Sequence, residues 1–196
     1  MIAGPIIKAE FILYGSFART YRGHGTDRAL LGGIMAGNQC KGLEENGVSA
    51  SIKHVCCNNA ESSRKRNHSI VSQRALRELY LRTFEVAFDI HIPDSIMTGY
   101  NACNGVFTAE DEEMIQGIFR NEFGFNGYVM TDWNSYDTAD VAKAIAAGNC
   151  WMTPGTTDDT YVSPIIEGIK NGTISENRLR QNIKYMYRVI RKRTQA

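Results

Sequence analysis

The chain has 196 residues, is 43% hydrophobic and 22% charged, and carries a formal net charge of +1. That length supports one domain with a sizeable core, and the composition is ordinary for a globular protein. A charge this close to zero gives no electrostatic case for nucleic acid or an anionic membrane as partner. The five cysteines are Cys40, Cys56, Cys57, Cys103 and Cys150. Their number is odd and no C-x-x-C pair occurs, so neither a disulfide framework nor a zinc site is expected, and no metal or other cofactor is implied. No basic-then-apolar signal segment opens the chain, and no apolar run approaches the ~18 residues of a membrane span. Reduced thiols in a cytoplasmic setting fit best.

Taken in order, residues 3–14 hold one or two short strand-like runs, and residues 15–26, rich in Gly, Arg, Thr and Ser, read as a loop. Thr26 or Asp27 can cap a helix to about Glu45, with Leu30, Leu31, Ile34 and Met35 on one face. Val48 to Val55 is a second strand, and a polar loop follows from Cys56 to Ser69. Ser72 caps a long helix to about Ala87, with Leu76, Leu79, Tyr80, Phe84 and Val86 spaced for burial. Ser95 to Tyr100 is a third strand. Thr108, followed by Ala-Glu-Asp-Glu-Glu, starts a helix that carries Met114, Ile115, Ile118 and Phe119 and ends at Gly124.

The run Gly127-Tyr-Val-Met-Thr-Asp-Trp133 comes next and organises the rest. Tyr128, Val129 and Met130 are apolar without alternation, as in a strand buried on both faces. Asp132 falls at its C-terminal end, where parallel α/β sheets and barrels place reactive groups; a cap of the following turn is an equal reading of position alone. A helix from about Asp137 to Ala147, a short strand at Cys150–Thr153, and helices over about 158–171 and 175–193 complete the pattern. Ser175 caps the last helix. Its basic end, Arg188, Arg191, Lys192 and Arg193, reads as a solvated helix terminus complementing the dipole.

Short apolar strands alternating with helices indicate βα units and a parallel sheet. A closed (β/α)8 barrel needs roughly 250 residues, and about five βα units fit here. The chain is therefore an open parallel sheet or an incomplete barrel. Lys53-His54, Gly99-Tyr100-Asn101, Thr131-Asp132-Trp133 and Thr153-Pro154-Gly155 stand at the strand ends. If the strands are parallel neighbours, a cation, an imidazole, a carboxylate and two aromatic rings converge on one rim. Such a set suits a polyhydroxylated ligand, with rings against the C–H face of a sugar and charged groups on its hydroxyls. A hydrogen-bonded core histidine is the plainer reading of His54.

The chain resembles part of the catalytic barrel of glycoside hydrolase family 3, the β-glucosidase type. The matching stretches are Gly47-Val-Ser-Ala-Ser-Ile-Lys-His-Val-Cys-Cys-Asn-Asn59, Glu61, Arg64, and Ser72-Gln-Arg-Ala-Leu-Arg-Glu-Leu-Tyr-Leu81. Met97-Thr-Gly-Tyr-Asn-Ala-Cys-Asn-Gly105, Gly124-Phe-Asn-Gly-Tyr-Val-Met-Thr-Asp-Trp133 and Ala147-Gly-Asn-Cys-Trp-Met-Thr-Pro-Gly155 follow in family order. The resemblance implies an incomplete TIM-type (β/α) barrel of about five strands as a single domain over 1–196. Residues 1–46 form a poorly matching lead-in, 47–155 the matching core and 156–196 the closing helices.

By the same resemblance, Asp132 matches the catalytic nucleophile. Lys53 and His54 match the pair that binds sugar hydroxyls. Tyr100, with Met97 beside it, matches the aromatic that supports the nucleophile, and Trp133 matches an aromatic that flanks the sugar. Glu61 and Arg64 look like residues that brace the Lys-His loop. The implied reaction is a retaining double displacement on a β-glucoside or short oligosaccharide. A second carboxylic acid about 5–5.5 Å from the nucleophile protonates the leaving oxygen. Asp132 must be ionised to attack, which Lys53 and His54 favour.

The lead-in departs from the family. The family arginine would fall on Ser16, with Arg19 or Arg22 as substitutes, and His24 does not stand where the N-acetylglucosaminidase branch places its histidine. The first barrel strands and the second α/β domain, which carries the acid/base glutamate, have no counterpart. Glu44, Glu45 and Glu61 are candidates for that role by default only. Two readings follow, a truncated β-glucosidase-type hydrolase and a catalytically impaired remnant that binds sugar. The open edges of an incomplete barrel predict self-association. No Gly-rich phosphate loop supports an unrelated phosphate-binding protein.

Overall fold

The computed structural model describes residues 11–14, 27–58, 60 and 62–195. In chain order its elements begin with β1 (Phe11–Tyr14), α1 (Asp27–Glu45), β2 (Ala50–Val55) and β3 (His68–Ser69). Next come α2 (residues 73–90, with a wide π turn at Leu76–Leu81), β4 (Ser95–Thr98), β5 (Ala102–Cys103) and β6 (Val106–Phe107). The wide-turned α3 (Glu113–Glu122), β7 (Tyr128–Met130), α4 (Val141–Ala147), α5 (Val162–Lys170) and α6 (Glu176–Thr194) follow.

The main sheet is parallel throughout, in the order β1-β2-β4-β7. Ile52, Ile96 and Val129 lie in one register row, and Lys53, Met97 and Met130 in the next. Beyond β7, Met130 makes a parallel bridge to Trp151, so a fifth chain segment starts where the sequence suggested a strand at Cys150–Thr153, but only as a single bridge. Helices follow the strands, and the chain is an incomplete (β/α)8-type barrel. A small second sheet, β3-β5-β6, decorates the C-terminal side of β2 and β4.

The pleat sorts the sheet's side chains. Ile52, Ile96 and Val129 enter a core with Phe84 and Phe88 of α2, Phe119 of α3 and Phe125. Phe84 meets Phe119 edge-on at 5.3 Å, and Phe88 stacks on Phe125 at 5.7 Å. Met97 and Met130 are also buried but lie in the alternate row, outside that aromatic core. A second cluster, built on Ala144, Ile145, Tyr161 and Ile174, seats α4 and α5.

Several expectations are corrected. Leu30, Leu31, Ile34 and Met35 of α1 are all exposed; the helix buries Ala29, Ala36 and Cys40 instead. The reason is close packing on α2. A Cβ on Gly33 would lie 2.6 Å from Val86 Cβ, and one on Gly37 2.7 Å from the Ala87 carbonyl oxygen. The face lined with small residues therefore docks, and the branched face turns outward. Leu79 is exposed as well. The π turn adds a residue per turn and gives the buried position to Leu81.

Ser72 and Ser175 cap α2 and α6 as the sequence suggests, accepting from Ala75 N and Arg178 N at 3.1 Å each. Thr108 does not cap α3. Its hydroxyl exchanges hydrogen bonds with the Gly99 backbone at 2.9 and 3.0 Å, and Asp111 accepts from Met114 N at 2.9 Å. Asp137 ends a short 3-10 turn, and Asp140 caps α4.

The basic end of α6 is not simply solvated. Arg193, with a side chain 6% exposed, places Nε 2.6 Å from Asp94 Oδ2, and Lys192 Nζ lies 2.7 Å from Asp94 Oδ1 and 2.8 Å from Glu44 Oε2. His91 Nε2 and Ser49 Oγ complete the cluster at 3.0 Å from Glu44 and 2.8 Å from Asp94. It ties α6 to the end of α1 and the start of β4, at the N-terminal rim of the sheet. None of the helices is long and apolar enough to cross a membrane, among the described residues.

Candidate active site

The C-terminal rim gathers most of the expected residues. β2 ends through Lys53 and His54, joined by a cis peptide, where its register with β4 shifts. β7 ends at Met130, and Thr131 and Asp132 lead into a turn in which Asn134 takes the left-handed conformation. His54 Nε2 stands 3.0 Å from Asp132 Oδ2. Both side chains are nearly buried, at 12% and 9% exposure.

The turn that presents Asp132 is fixed by its own hydrogen bonds. Trp133 N donates to Asp132 Oδ1 at 2.7 Å, and Ser135 Oγ donates to the Asp132 carbonyl at 2.7 Å. Asn134 N donates to the Thr153 carbonyl at 2.9 Å, and Thr131 N to the Trp151 carbonyl at 3.0 Å. Thr153 Oγ1 also donates to the Thr131 carbonyl. Residues 131–134 are thus pinned to residues 151–153, and Asp132 has little freedom to turn away from His54.

Burial alone would raise the Asp132 carboxyl. The His54 imidazole outweighs that, helped by the Trp133 N–H and Lys53, and holds the group below the ordinary carboxylate value. Asp132 is therefore a carboxylate at neutral pH.

Tyr100 is buried beside it, and its hydroxyl donates to the Trp133 carbonyl. Burial, and then the Asp132 charge, push its phenol up to about 12. It stays a neutral donor. Arg64 lies over the Tyr100 ring at 4.7 Å, and Lys65 at 5.3 Å. Lys65 Nζ also reaches Asp137 Oδ2 at 2.6 Å. Trp133 is 55% exposed.

Lys53, His54, Tyr100, Asp132, Trp133 and Arg64 are therefore neighbours, linked through the contacts above. Met97 sits in the strand row beneath, 1% exposed. Glu61, like Ser16, Arg19, Arg22 and His24, lies outside the described residues. Glu44 is held at the opposite rim, where its Oε1 accepts from Asp94 N at 2.6 Å, and Glu45 is an exposed partner of Lys41. Neither approaches Asp132. Sequence reading missed Lys65 and Asp137 as neighbours of Tyr100. The basic run Arg64-Lys65-Arg66 was the signal for the first, and nothing in the spacing pointed to the second.

Comparison with known proteins places the chain in a family. Residues 15–190 match the glycosyl hydrolase family 3 N terminal domain. The chain is 42% identical over 158 residues to a probable beta-glucosidase I of Aspergillus niger, covering 80% of this chain and 19% of that protein. The structure of beta-glucosidase 3B from Thermotoga neapolitana in complex with glucose is similar at a TM-score of 0.78 and 36% identity, covering 84% of this chain and 24% of that one. The beta-glucosidase of Kluyveromyces marxianus in complex with glucose is similar at a TM-score of 0.79 and 30% identity, covering 85% and 20%. The chain spans about one fifth of the length of the curated relatives it matches. It belongs to glycosyl hydrolase family 3.

Proposed function

We propose that this chain carries the nucleophile side of a retaining β-glucoside hydrolase. Asp132 attacks the anomeric carbon as the bond to the aglycone oxygen breaks, giving a glycosyl ester through an oxocarbenium-like transition state. The aglycone departs as an alcohol protonated by an acid, or as a free phenolate, and water then hydrolyses the ester to sugar and the Asp132 carboxylate. His54 and Lys53 hydrogen-bond the sugar's hydroxyls and keep Asp132 ionised. Tyr100 steadies the Asp132–Trp133 turn through the Trp133 carbonyl, and the exposed Trp133 indole packs against the sugar face. Met97 floors the subsite, and Arg64 braces the Lys-His loop from above Tyr100. The observation that carries this reading is the 3.0 Å approach of His54 Nε2 to a carboxylate held below its usual pKa. The relatives' names and their complexes with glucose support the substrate class. The test is hydrolysis of a nitrophenyl β-glucoside by wild type and by Asp132→Asn.

A second reading, a sugar-binding remnant without turnover, is favoured by one observation. Of the three glutamates that could serve as acid by default, Glu44 is committed to the opposite rim, and Glu45 stands exposed next to it at the end of α1. A nitrophenolate leaves without an acid's help, whereas the glucose expelled from cellobiose needs its oxygen protonated. Turnover of the aryl glucoside alone marks a nucleophile acting without its partner. Silence on both, with glucose raising the melting temperature, marks a binding remnant.

We further infer that the chain self-associates. The exposed Leu30, Leu31, Ile34 and Met35 of α1, and Ile183, Tyr187 and Ile190 of α6, flank the incomplete barrel with apolar surface.

A further inference from the structure

The structure brings the adjacent thiols Cys56 and Cys57 together with Cys103, which the sequence keeps far from them. Cys56, Cys57 and Cys103 are 1%, 4% and 3% exposed, and their Sγ atoms all lie within 4.8 Å of one another. Cys56 Sγ and Cys57 Sγ are 3.4 Å apart. Two successive residues of an extended chain point to opposite sides. Cys57 breaks that alternation with φ of 64°, a left-handed conformation uncommon outside glycine and asparagine. Both carbonyls of the pair are held: Asn101 Nδ2 donates to Cys56 O at 3.0 Å, and Ser69 Oγ to Cys57 O at 2.7 Å. Cys103 arrives from β5, in parallel register with Ser69. The three sulfurs are thus held by backbone on two segments, the turn after β2 and the strand β5.

We propose that Cys56, Cys57 and Cys103 form a three-sulfur site for a soft divalent cation of the zinc class. Three thiolates about 2.3 Å from such an ion in tetrahedral geometry lie about 3.8 Å from one another. That spacing falls inside the observed range. Sulfur ligands select this ion class over magnesium or calcium. Binding is balanced as one Zn2+ and three thiols giving a tris-thiolate complex of charge −1 and three released protons; no electrons move. The fourth coordination position is open to a small ligand, since no other His, Cys, Asp or Glu of the described residues joins the group.

The site would clamp the candidate active site from below. Cys56 follows His54 by two residues, and Cys103 follows Tyr100 by three. An ion shared between them joins the loop leaving β2 to the hairpin after β4. Its effect is mechanical order in that rim, and it touches no reacting atom.

The experiment is a titration of the chelator-treated full chain with Zn2+ against a chromophoric competitor, and with Cd2+ read by sulfur-to-metal charge-transfer absorption. One equivalent per chain is expected, with a higher melting temperature when loaded. Cys103→Ser, which removes a direct ligand, should weaken binding by at least the roughly 10–100-fold that losing an outer-shell partner costs, and Cys40→Ser and Cys150→Ser, which lie outside the group, should bind as wild type. Absence of a saturable one-equivalent step, or unchanged binding by Cys103→Ser, overturns the proposal. Should Cys103→Ser fail to fold, X-ray absorption of loaded wild type decides: three sulfur neighbours support the site, and fewer overturn it.

Discussion

His54 and Asp132 meet across a strand. β2 and β7 are not adjacent in the sheet, and β4 runs between them, yet His54 Nε2 comes within 3.0 Å of Asp132 Oδ2 above its end. The approach depends on the parallel register, which brings Lys53, Met97 and Met130 into one row. Residues just beyond that row share a rim although the sequence separates them widely.

Asp132→Asn should reduce aryl β-glucoside hydrolysis by roughly a thousandfold or more while leaving the fold intact, because it removes the attacking oxygen. Steady-state rates and a circular dichroism melt check both halves. Equal rates for the two proteins would remove Asp132 from the reaction.

Tyr100→Phe deletes the donor to the Trp133 carbonyl and should cost about 1 kcal/mol of stability. The raised phenol also predicts a pH effect. Its folded pKa of about 12 lies above the ordinary value near 10, so the contribution is complete below pH 10 and is lost as pH rises toward 12. Denaturant melts of both proteins from pH 9 upward should converge at the alkaline end.

Arg193→Ala should destabilise by about 3 kcal/mol, since it leaves Asp94 and Glu44 buried with fewer partners. Burial raises the Asp94 carboxyl, but Lys192, Arg193 and Ser49 more than offset that and hold it below its usual value. Its stabilisation is therefore present above pH ~4 and lost as pH falls through the depressed folded value. Urea melts between pH 6 and pH 2 should show a steeper acid loss in wild type than in Asp94→Asn.

Leu31→Glu should shift the chain toward monomer if the exposed face of α1 is a contact between copies. Sedimentation velocity at micromolar concentration reads this directly. A wild-type monomer under the same conditions contradicts self-association.

Much of this was legible in the sequence because strands announce themselves. The apolar run at Tyr128–Met130 and the polar group after it located both a sheet strand and Asp132. The face of α1 was misread because hydrophobicity there opposes packing. Gly33 and Gly37 allow an approach to α2 that no larger residue permits, and close approach decided which side was buried. The basic end of α6 was misread for a different reason. Its partners, Glu44 and Asp94, are distant in sequence, and nothing local marks Lys192 and Arg193 as paired. The thiol group was hidden likewise, because only the β3–β5 register carries Cys103 to Cys56 and Cys57.

A nucleophilic Asp132 must form a covalent bond to the glucosyl unit. Incubation with a 2-deoxy-2-fluoro-β-glucoside bearing a dinitrophenolate leaving group slows hydrolysis of the glycosyl ester and should allow it to accumulate. Intact-mass and peptide analysis should then find one fluoroglucosyl group per chain, on the peptide containing Asp132, and none on Asp132→Asn. An unlabelled wild type, or a label on another residue, would contradict the account.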